Sequence, residues 1–328
     1  MKFEPEKVSK IIEQNYSFLA PDFFEMQTDY LNSMYVIYKD LDASLIVMLL
    51  TRKIYEEAIR KDGTANKLSL QSFYTEKKYN VPISKFKIKE ISNILNLPRE
   101  TIRRKKIKLI KNKFILYNKK KKTYSLNSEK IDELIIKTQI DITSKFLSNY
   151  CVFFSQNNNI IENITFDSFK SEIHSKFMAY LPIFLNFQLS YFANIRKIVD
   201  MECLFINCLC ALNTSTHIKK LASKKNKVFN TTGFFSQLPS INKKYGLNST
   251  SISDITKIPR TTVLRKLAKL ENMNILKRDK YKRYATSDLT DPNLVKAKHY
   301  VLPYTLKLLG IFISECLEIY SFKELKAS

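Results

Sequence analysis

Residues 258–270 read IPRTTVLRKLAKL and contain the pattern that decides the fold. Val263, Leu267 and Leu270 are spaced by four and three residues, which places them on one face of a helix. Pro259 suits the start of that helix, where a missing N–H donor costs nothing. The remaining positions include the basic and hydroxyl residues Arg260, Thr261, Thr262, Arg265, Lys266 and Lys269. One anchoring face and one basic face are what insertion of a helix into the DNA major groove requires.

The segments on either side of this helix complete a motif. Residues 251–258 predict a short helix with Ile252 and Ile255 facing inward, followed by a tight turn. Residues 275–286 predict two short strands around a basic hairpin. The order helix, turn, basic helix, hairpin closely resembles the winged helix-turn-helix family, and the resemblance covers about 38 residues here.

The same pattern occurs in the first half of the chain, where residues 91–109 read ISNILNLPRETIRRKKIKL. Subtracting 161 from the residue number maps Pro259 on Pro98, and the same register extends without a gap to Pro182 and Pro21. The chain of 328 residues is close to twice this period. An internal duplication is the simplest explanation, so each half should contain one complete motif.

The composition predicts a helix-rich globular protein of two domains, because 45% of the residues are hydrophobic and only four are glycine. Abundant Lys, Asn and Ile also follow from an AT-rich coding sequence, so the net charge of +24 says little by itself. The distribution of this charge along the chain is more informative. Residues 84–122 hold fifteen Lys/Arg and two acids, and residues 251–283 hold ten Lys/Arg and three acids. The positive charge coincides with the two motifs, as expected for a protein that binds a polyanion.

The sequence pattern also bears on where the protein acts. Residues 1–14 are charged, unlike a signal peptide. The apolar stretches 181–212 and 301–320 contain charged residues, which favours buried helices over membrane spans. Five cysteines, an odd number, fit a reducing compartment. We therefore expect a soluble cytoplasmic protein of the bacterial type, associated with the nucleoid when it is bound to DNA.

We expect neither an enzyme nor a bound cofactor or metal. The histidines are dispersed and lack partners at ligand spacing: His174, His217 and His299. Four glycines could hardly build a phosphate-binding loop. Cys203, Cys208 and Cys210 share one apolar helix without the spacing of a zinc site, so we interpret them as small buried hydrophobes. A redox-sensing thiol is the alternative.

Each half runs opening helices, core helix, helix-turn-helix, wing and closing helix, which resembles the MarR-like transcriptional regulators. Their terminal helices form a dimer interface. The resemblance implies a mostly α fold with small β-hairpin wings, in which two winged-helix domains pack through terminal helices as a pseudo-two-fold dimer in one chain. The recognition helices would lie roughly one DNA turn apart. The implied domains are 1–155, with helix-turn-helix 88–112 and wing 114–126, and 156–328, with helix-turn-helix 250–273 and wing 275–286.

We predict DNA contacts from both basic helices and both hairpins. Arginine suits bidentate contact with guanine, threonine suits a phosphate or a thymine methyl group, and lysines at a hairpin tip suit phosphates. The first half contributes Arg99, Thr101, Arg103, Arg104, Lys105, Lys108, Lys119, Lys120, Lys121 and Lys122. The second half contributes Arg260, Thr261, Thr262, Arg265, Lys266, Lys269, Arg278, Lys280, Lys282, Arg283 and Tyr284.

The two recognition helices are not equivalent. Lys106 stands where the second helix has Leu267. Either Lys106 extends its ammonium group out of the apolar face, or Ile107 and Ile110 replace the leucine after a slight rotation. The first helix is therefore the more basic copy, and the second is better formed. We expect the second half to supply more of the sequence specificity and the first half more of the electrostatic affinity.

The connecting segments are less regular. Residues 61–85 and 213–248 predict long polar loops, either partly ordered arms near the DNA or floppy insertions. The aromatic pairs expected to anchor them are Phe73-Tyr74 and Phe234-Phe235. Residues 155–159, SQNNN, predict the linker between the halves.

These features favour a transcriptional regulator that reads an asymmetric site or an imperfect inverted repeat in double-stranded DNA. A plasmid- or phage-type replication initiator, which also carries two winged helices, is one alternative. A winged-helix module that binds other proteins is another. The apolar helices leave room for a small-molecule effector, although no residue specifies one.

Overall fold

The computed structural model describes residues 3–61, 69–75, 82–83, 86–127, 133–158, 165–242, 244–287 and 292–327. Within these residues the chain is mostly helical, with two small antiparallel hairpins. The predicted mostly α class with hairpins is thereby confirmed.

The second half of the chain repeats the element order of the first. The first half contains α1 (Pro5–Gln14), α2 (Tyr16–Tyr38), α3 (Leu41–Lys61), α4 (Leu70–Thr75), α5 (Ile88–Leu95), α6 (Arg99–Lys111), β1 (Ile115–Asn118), β2 (Thr123–Leu126) and α7 (Glu133–Asn158). The second half contains α8 (Phe166–Ser175), α9 (Phe177–Ile195), α10 (Met201–Lys224), α11 (Thr231–Asn242), α12 (Ser249–Thr256), α13 (Arg260–Asn272), β3 (Leu276–Arg278), β4 (Tyr284–Thr286) and α14 (Pro292–Ala327).

Equivalent elements begin at an almost constant offset in residue number. The offset is 161 between the first residues of α1, α2, α4, α5 and α6 and those of α8, α9, α11, α12 and α13. For the core helices, which begin at Leu41 in α3 and Met201 in α10, it is 160. The second hairpin is also shorter by one residue, because Ile115 pairs with Leu126 whereas Leu276 pairs with Thr286. The prediction of a register without gaps is wrong at these two places, although the order of elements repeats.

The chain forms two compact units that do not coincide with the two halves of the sequence. One unit comprises Met1–Ile37 and Ile198–Ser314, so it joins α1 and most of α2 to α10–α13. The other comprises Tyr38–Lys197 and Glu315–Ser328, so it joins α8 and α9 to α3–α7. The predicted boundary after residue 155 follows the repeat in sequence, whereas the units follow packing in space.

In the unit that contains α13, the core helix α10 packs against α11, α12, α13 and β4. The N-terminal helices join it through specific contacts. Ser17 and Phe229 exchange two hydrogen bonds of 2.9 Å, and the Tyr16 ring meets the Phe234 ring edge-on at 4.9 Å. The predicted anchoring role of Phe234 is confirmed, since it is 4% exposed. Gly310 allows α14 to approach α1, because a Cβ there would lie 2.4 Å from a backbone carbonyl oxygen of α1.

In the unit that contains α6, helix α3 packs against α5, α6 and α9, and α7 packs against α8. The Tyr55 ring meets Phe177 of α9 at 5.5 Å, and Tyr38 meets Phe114 at 4.8 Å. Arg196, which caps the C-terminus of α9, forms an ion pair with Asp42 in the first turn of α3. Helix α9 is thus a core neighbour of α3, although it belongs to the second half of the sequence.

The predicted polar loop at residues 213–248 is mostly helical, because α10 continues to Lys224 and α11 follows. Polarity misleads here because Thr214 and Ser215 are buried on α10. The Ser215 hydroxyl donates to a carbonyl oxygen of the preceding turn at 3.1 Å, so it needs no water. A polar residue can therefore occupy the core face of a helix.

Two other predicted connections differ or lie outside the described residues. Helix α7 continues to Asn158 and occupies most of the predicted linker at 155–159. Of residues 61–85, the structure describes chiefly the short helix α4. The predicted anchors Phe73 and Tyr74 have side chains outside the described part.

A segment of α14, Tyr300–Tyr320, is long and apolar enough to cross a membrane by length and composition alone. A single helix of this kind is weak evidence, since the core helix of a globular protein passes the same test. Half of the segment is buried, including Leu309, Phe312 and Ile313.

Candidate nucleic-acid interface

A tight turn of the same geometry precedes each basic helix. Asn96 and Lys257 adopt left-handed backbone conformations, with φ of 50° and 58°, at the ends of α5 and α12. The hydroxyls of Ser92 and Ser253 each donate to the carbonyl oxygen five residues later at 2.7 Å. These bonds close the turn, so each short helix is held at a fixed angle to the basic helix that follows.

Helix α13 has the buried and exposed faces that the sequence predicts. Val263, Leu267 and Leu270 are each 0% exposed. The exposed face consists of Arg260, Thr261, Leu264, Arg265, Ala268, Lys269 and Asn272. Because this face holds three cations and no acid, it presents positive charge along its length.

The short helix α12 departs from the prediction at one position. Ile252 is buried, but Ile255 is 44% exposed, so its predicted inward orientation is wrong. Thr256 takes the inward position one turn after Ile252 and donates its hydroxyl to the Ile252 carbonyl oxygen at 2.7 Å. The apolar face of α12 is therefore completed by a residue whose polar group is bonded within the helix.

Lys106 is accommodated in α6 by two aromatic rings. Its ammonium lies 4.7 Å from the ring centroid of Phe86 and 4.4 Å from that of Tyr124, and it donates to the Tyr124 hydroxyl at 2.7 Å. Ile107 is 67% exposed, so the alternative in which it replaces the missing leucine is wrong. Cation–π attraction and the hydrogen bond stabilise the lysine, whose charge faces the hairpin.

The exposed face of α6 is basic but contains an acid. It consists of Arg99, Glu100, Arg103, Arg104, Ile107, Lys108 and Lys111. Arg103 donates to the Glu100 carboxylate at 3.1 Å, which offsets part of its charge. Arg99 and Arg104 are exposed and have no ion pair within the part of the chain that the structure describes. They are therefore the arginines of α6 that are best placed to contact a polyanion.

An aspartate at the start of α10 holds the adjacent basic helix. Asp200 accepts the backbone N–H of Cys203 at 3.0 Å, which caps α10. It also accepts hydrogen bonds from the ammonium groups of Lys266 at 2.7 Å and Lys269 at 2.9 Å. Burial alone would raise the pKa of Asp200, but the hydrogen bonds from Lys266 and Lys269 outweigh it and hold the pKa well below its ordinary value. The carboxylate is thus ionised and bridges two helices.

The first half repeats this arrangement. Asp40 accepts the backbone N–H of Ala43 at 3.1 Å and forms ion pairs with Lys105 and, at 3.7 Å, with Lys108. The side chains of Lys105 and Lys266 are only 17% and 12% exposed. We therefore correct their predicted role. Their charges are neutralised within the protein, so they hold the basic helices in place rather than reach DNA.

Sequence reasoning missed Asp40 and Asp200. Each begins the pattern acid–apolar–acid, in Asp40-Leu41-Asp42 and in Asp200-Met201-Glu202. The numbers of the two aspartates differ by 160, so an alignment at the offset of 161 that fits the recognition helices does not superimpose them. An aspartate just before an apolar helix, present in both halves, is the signal that could have found them.

Each hairpin is tied to the segment before its helix pair. Ile83 and Tyr124 exchange backbone hydrogen bonds of 2.8 and 2.9 Å, and Leu247 and Tyr284 do the same at 2.9 and 2.8 Å. These bridges add a third, one-residue strand to each hairpin. Hairpin and basic helix thereby become parts of one small substructure in each unit.

The tip of the first hairpin carries four exposed lysines, Lys119, Lys120, Lys121 and Lys122. The Asn118 side chain accepts the backbone N–H of Lys121 at 3.0 Å and closes the turn. Behind the tip, the Tyr117 ring stacks on the Tyr124 ring at 4.6 Å. An ordered base thus presents flexible point charges, which suits contacts with phosphates.

The second hairpin is organised by Asp279. Its carboxylate accepts the backbone N–H groups of Tyr281 at 2.8 Å and Arg283 at 2.9 Å, and the Arg283 guanidinium at 2.7 Å. Arg278 has a longer ion pair with Glu271, at 3.5 Å. The predicted contacts Arg278 and Arg283 are therefore engaged within the protein, and Arg283 mainly fixes the shape of the tip.

Two tyrosines of this hairpin have roles that the sequence did not reveal. Tyr284 is 6% exposed, so we remove it from the predicted contacts, because it belongs to the core. Tyr281 is 65% exposed at the tip, with the Lys280 ammonium and the Arg283 guanidinium each 5.1 Å from its ring centroid. Its position between Lys280 and Lys282 in a turn is the signal that could have found it.

The corrected candidate set is smaller than the predicted one. Thr261 is exposed, whereas Thr101 and Thr262 are partly exposed. Lys108 and Lys269 are about half exposed and share the aspartates with their buried neighbours. Of the predicted contact residues, the exposed cations without an ion pair among the described residues are Arg99, Arg104, Lys119, Lys120, Lys121, Lys122, Arg260, Arg265, Lys280 and Lys282.

The possible metal ligands and the cysteines do not form a second candidate site among the described residues. The described residues contain no group of three or more His, Cys, Asp or Glu side chains that could hold a metal ion. The five cysteines are buried thiols, and burial raises the pKa of Cys203 and Cys210 to about 12. These thiols are protonated and shielded from oxidants, which disfavours the redox-sensing alternative.

Comparison with known proteins identifies no relative, since no family model, no curated protein and no solved structure matches the chain.

Proposed function

We propose that this protein is a transcriptional regulator that binds double-stranded DNA through two winged helix-turn-helix segments similar to those of MarR-like proteins. Helices α6 and α13 are the recognition helices, and the hairpins β1–β2 and β3–β4 are the wings. The target is an asymmetric site or an imperfect inverted repeat, because the two exposed helix faces differ. The protein acts in the cytoplasm, where the DNA is accessible.

The observation that carries this proposal is the exposed face of α13. The helix has 13 residues, so it is about 20 Å long. The major groove of DNA is wide enough to admit an α-helix. Arg260 and Arg265 lie on that face without an ion pair among the described residues. Arginine can donate two parallel hydrogen bonds to guanine or to a phosphate. No acid lies between Pro259 and Leu270 to repel the phosphate backbone.

The repeated elements support two such contacts rather than one. Helix α6 follows the same closed turn as α13 and is held by an equivalent aspartate, Asp40 in place of Asp200. The element order of the two halves also repeats. We further propose that the halves correspond to the two subunits of a MarR-like dimer and read the two parts of one site.

The test is a comparison of two matched double variants on a duplex selected from genomic DNA. Arg260→Ala with Arg265→Ala should weaken binding by about 1–3 kcal/mol for each arginine that reads a base, and should relax sequence preference. Lys10→Ala with Lys307→Ala removes the same charge from exposed positions of α1 and α14 and should have a small effect on all sequences. Fluorescence anisotropy at fixed salt measures both.

The outcomes separate the proposal from its rivals. Equal losses for the two double variants would mean that net charge, and not the α13 face, determines affinity. Failure of the wild-type protein to bind any duplex at low salt would contradict DNA binding and favour a protein-interaction module.

A further inference from the structure

Both basic helices carry an apolar residue on the exposed face that the core does not use. Leu264 of α13 is 45% exposed, and Ile107 of α6 is 67% exposed. The anchoring contacts of α13 are already supplied by its fully buried residues on the opposite side. Exposed leucine and isoleucine side chains on a helix face dense in cations are available for a partner.

The surroundings of Leu264 restrict what that partner is. Arg260, Leu264 and Ala268 are spaced by four residues, so they form one stripe along α13. Thr261 and Arg265 run beside that stripe. Leu264 and Ala268 thus form a short apolar strip next to Arg260 and Arg265, with no acid between residues 259 and 270. Charge complementarity favours a polyanion that presents small apolar groups, and in the DNA major groove that group is the C5-methyl of thymine.

We propose that Leu264 and Ile107 contact thymine methyl groups in the major groove and set a preference for thymine in each part of the site. This inference rests on the proposed DNA binding and specifies what the recognition helices read. The two residues are not equivalent, because the offset of 161 places Ile107 opposite Ala268, and Leu264 opposite Arg103. The preferred thymine therefore lies one helical turn further along α6 than along α13.

The experiment removes single methyl groups from the DNA. In a duplex selected by the full-length protein, each thymine is replaced in turn by deoxyuridine, which pairs identically but lacks the methyl group. One replacement under each helix should weaken binding about fourfold, the effect of burying one methyl group. Leu264→Ala should abolish the difference in affinity between the thymine and deoxyuridine duplexes at one position, and Ile107→Ala should abolish it at the other. Val228→Ala, an exposed apolar residue outside both helices, should leave both differences intact.

The result that would overturn the inference is distinct from failure of DNA binding. Tight binding that is insensitive to every deoxyuridine replacement, or a sensitivity that persists in Leu264→Ala and Ile107→Ala, refutes thymine reading while the proposed function stands. If the protein selects no duplex, both the proposed function and this inference fail. Both substituted residues are exposed, and a circular dichroism spectrum matching that of the wild type verifies that the variants fold.

Discussion

Asp200 connects groups that are far apart in sequence, the first turn of α10 and two lysines of α13. We predict that Asp200→Asn lowers the free energy of unfolding at pH 7 by about 1.5–3 kcal/mol, the usual value for hydrogen bonds to a charged group. The loss arises because the largely buried Lys266 side chain no longer has its nearest carboxylate. Urea denaturation measures it. Asp254→Asn, at an exposed carboxyl without an ion pair among the described residues, should change stability by less than about 0.5 kcal/mol.

The pH dependence of this effect follows from the lowered pKa of Asp200 in the folded state. The ionised carboxylate contributes stability above the pKa of an unfolded aspartate, about 3.9, and this contribution is lost as pH falls toward the lower folded pKa. The difference between the wild type and Asp200→Asn should therefore be largest at neutral pH and shrink below about pH 4. A difference that stays constant from pH 7 to pH 3 would contradict the ion pair.

The same variant distinguishes positioning from charge in DNA binding. Asp200→Asn removes a negative charge close to the proposed interface, so electrostatics alone would tighten binding. If Asp200 positions α13, binding to the selected site should weaken instead, while binding to unrelated DNA changes little. Tighter binding to both kinds of DNA would show that Asp200 has no positioning role.

For single residues, the sequence predicts which face of a helix is buried, but it does not predict which distant side chains each residue contacts. The spacing of Val263, Leu267 and Leu270 correctly predicts a buried face, because periodicity is a local property of a helix. The environment of Lys106 depends on Phe86 and Tyr124, which only the fold brings to it. For the same reason the pairing of Lys266 with Asp200 could not be read from either residue alone.

The proposed contacts of the first hairpin with DNA phosphates can be measured through the salt dependence of DNA affinity. Replacing Lys119, Lys120, Lys121 and Lys122 by Ala should reduce the slope of log affinity against log salt by about 0.9 for each phosphate that the hairpin no longer neutralises. The change should be the same on specific and nonspecific DNA, because phosphate contacts carry no sequence information.

A matched control removes the same number of charges from other exposed positions. The exposed lysines that serve for this belong to α1, α7 and α14, and they are Lys10, Lys137, Lys145 and Lys307. Their replacement by Ala should leave the salt slope nearly unchanged. A hairpin variant with the wild-type slope would exclude the first wing from the interface.

The elements that could be predicted are those with a clear apolar period or a turn signal. Helices α6 and α13 and both hairpins lie within the ranges expected from sequence. The sequence predicts a loop where α10 continues, because the buried hydroxyl residues Thr214 and Ser215 interrupt the apolar pattern of that helix. The Ser215 hydroxyl bonds to its own helix, and a polar group satisfied in this way is invisible to a pattern that counts only apolar residues.

For the whole molecule, the sequence predicts the repeat but not the composition of the two units. Helices α2 and α9 are apolar on most of their surface, so their sequences do not indicate a preferred neighbour. The unit containing α13 therefore takes α1 and most of α2 from the first half, and the unit containing α6 takes α8 and α9 from the second. Such an arrangement is determined by which apolar surfaces meet in space.

The proposed site should reflect the inequality of the two recognition helices. The α13 face combines free arginines with an apolar strip, whereas the α6 face is more basic and includes the Arg103–Glu100 pair. We expect α13 to contribute more of the sequence specificity and α6 more of the electrostatic affinity. Protection of iterated tandem repeats, rather than of one asymmetric site, would favour a replication initiator.

Selection of bound fragments from genomic DNA, followed by footprinting of the most enriched duplex at base resolution, tests the central claim most directly. We predict two protected major-groove segments in one site, with the more strongly conserved bases among the selected fragments under α13. Arg260→Ala with Arg265→Ala should remove protection from that segment, and Arg99→Ala with Arg104→Ala from the other. Absence of any enriched duplex, or footprints unchanged in both double variants, would contradict DNA recognition by α6 and α13.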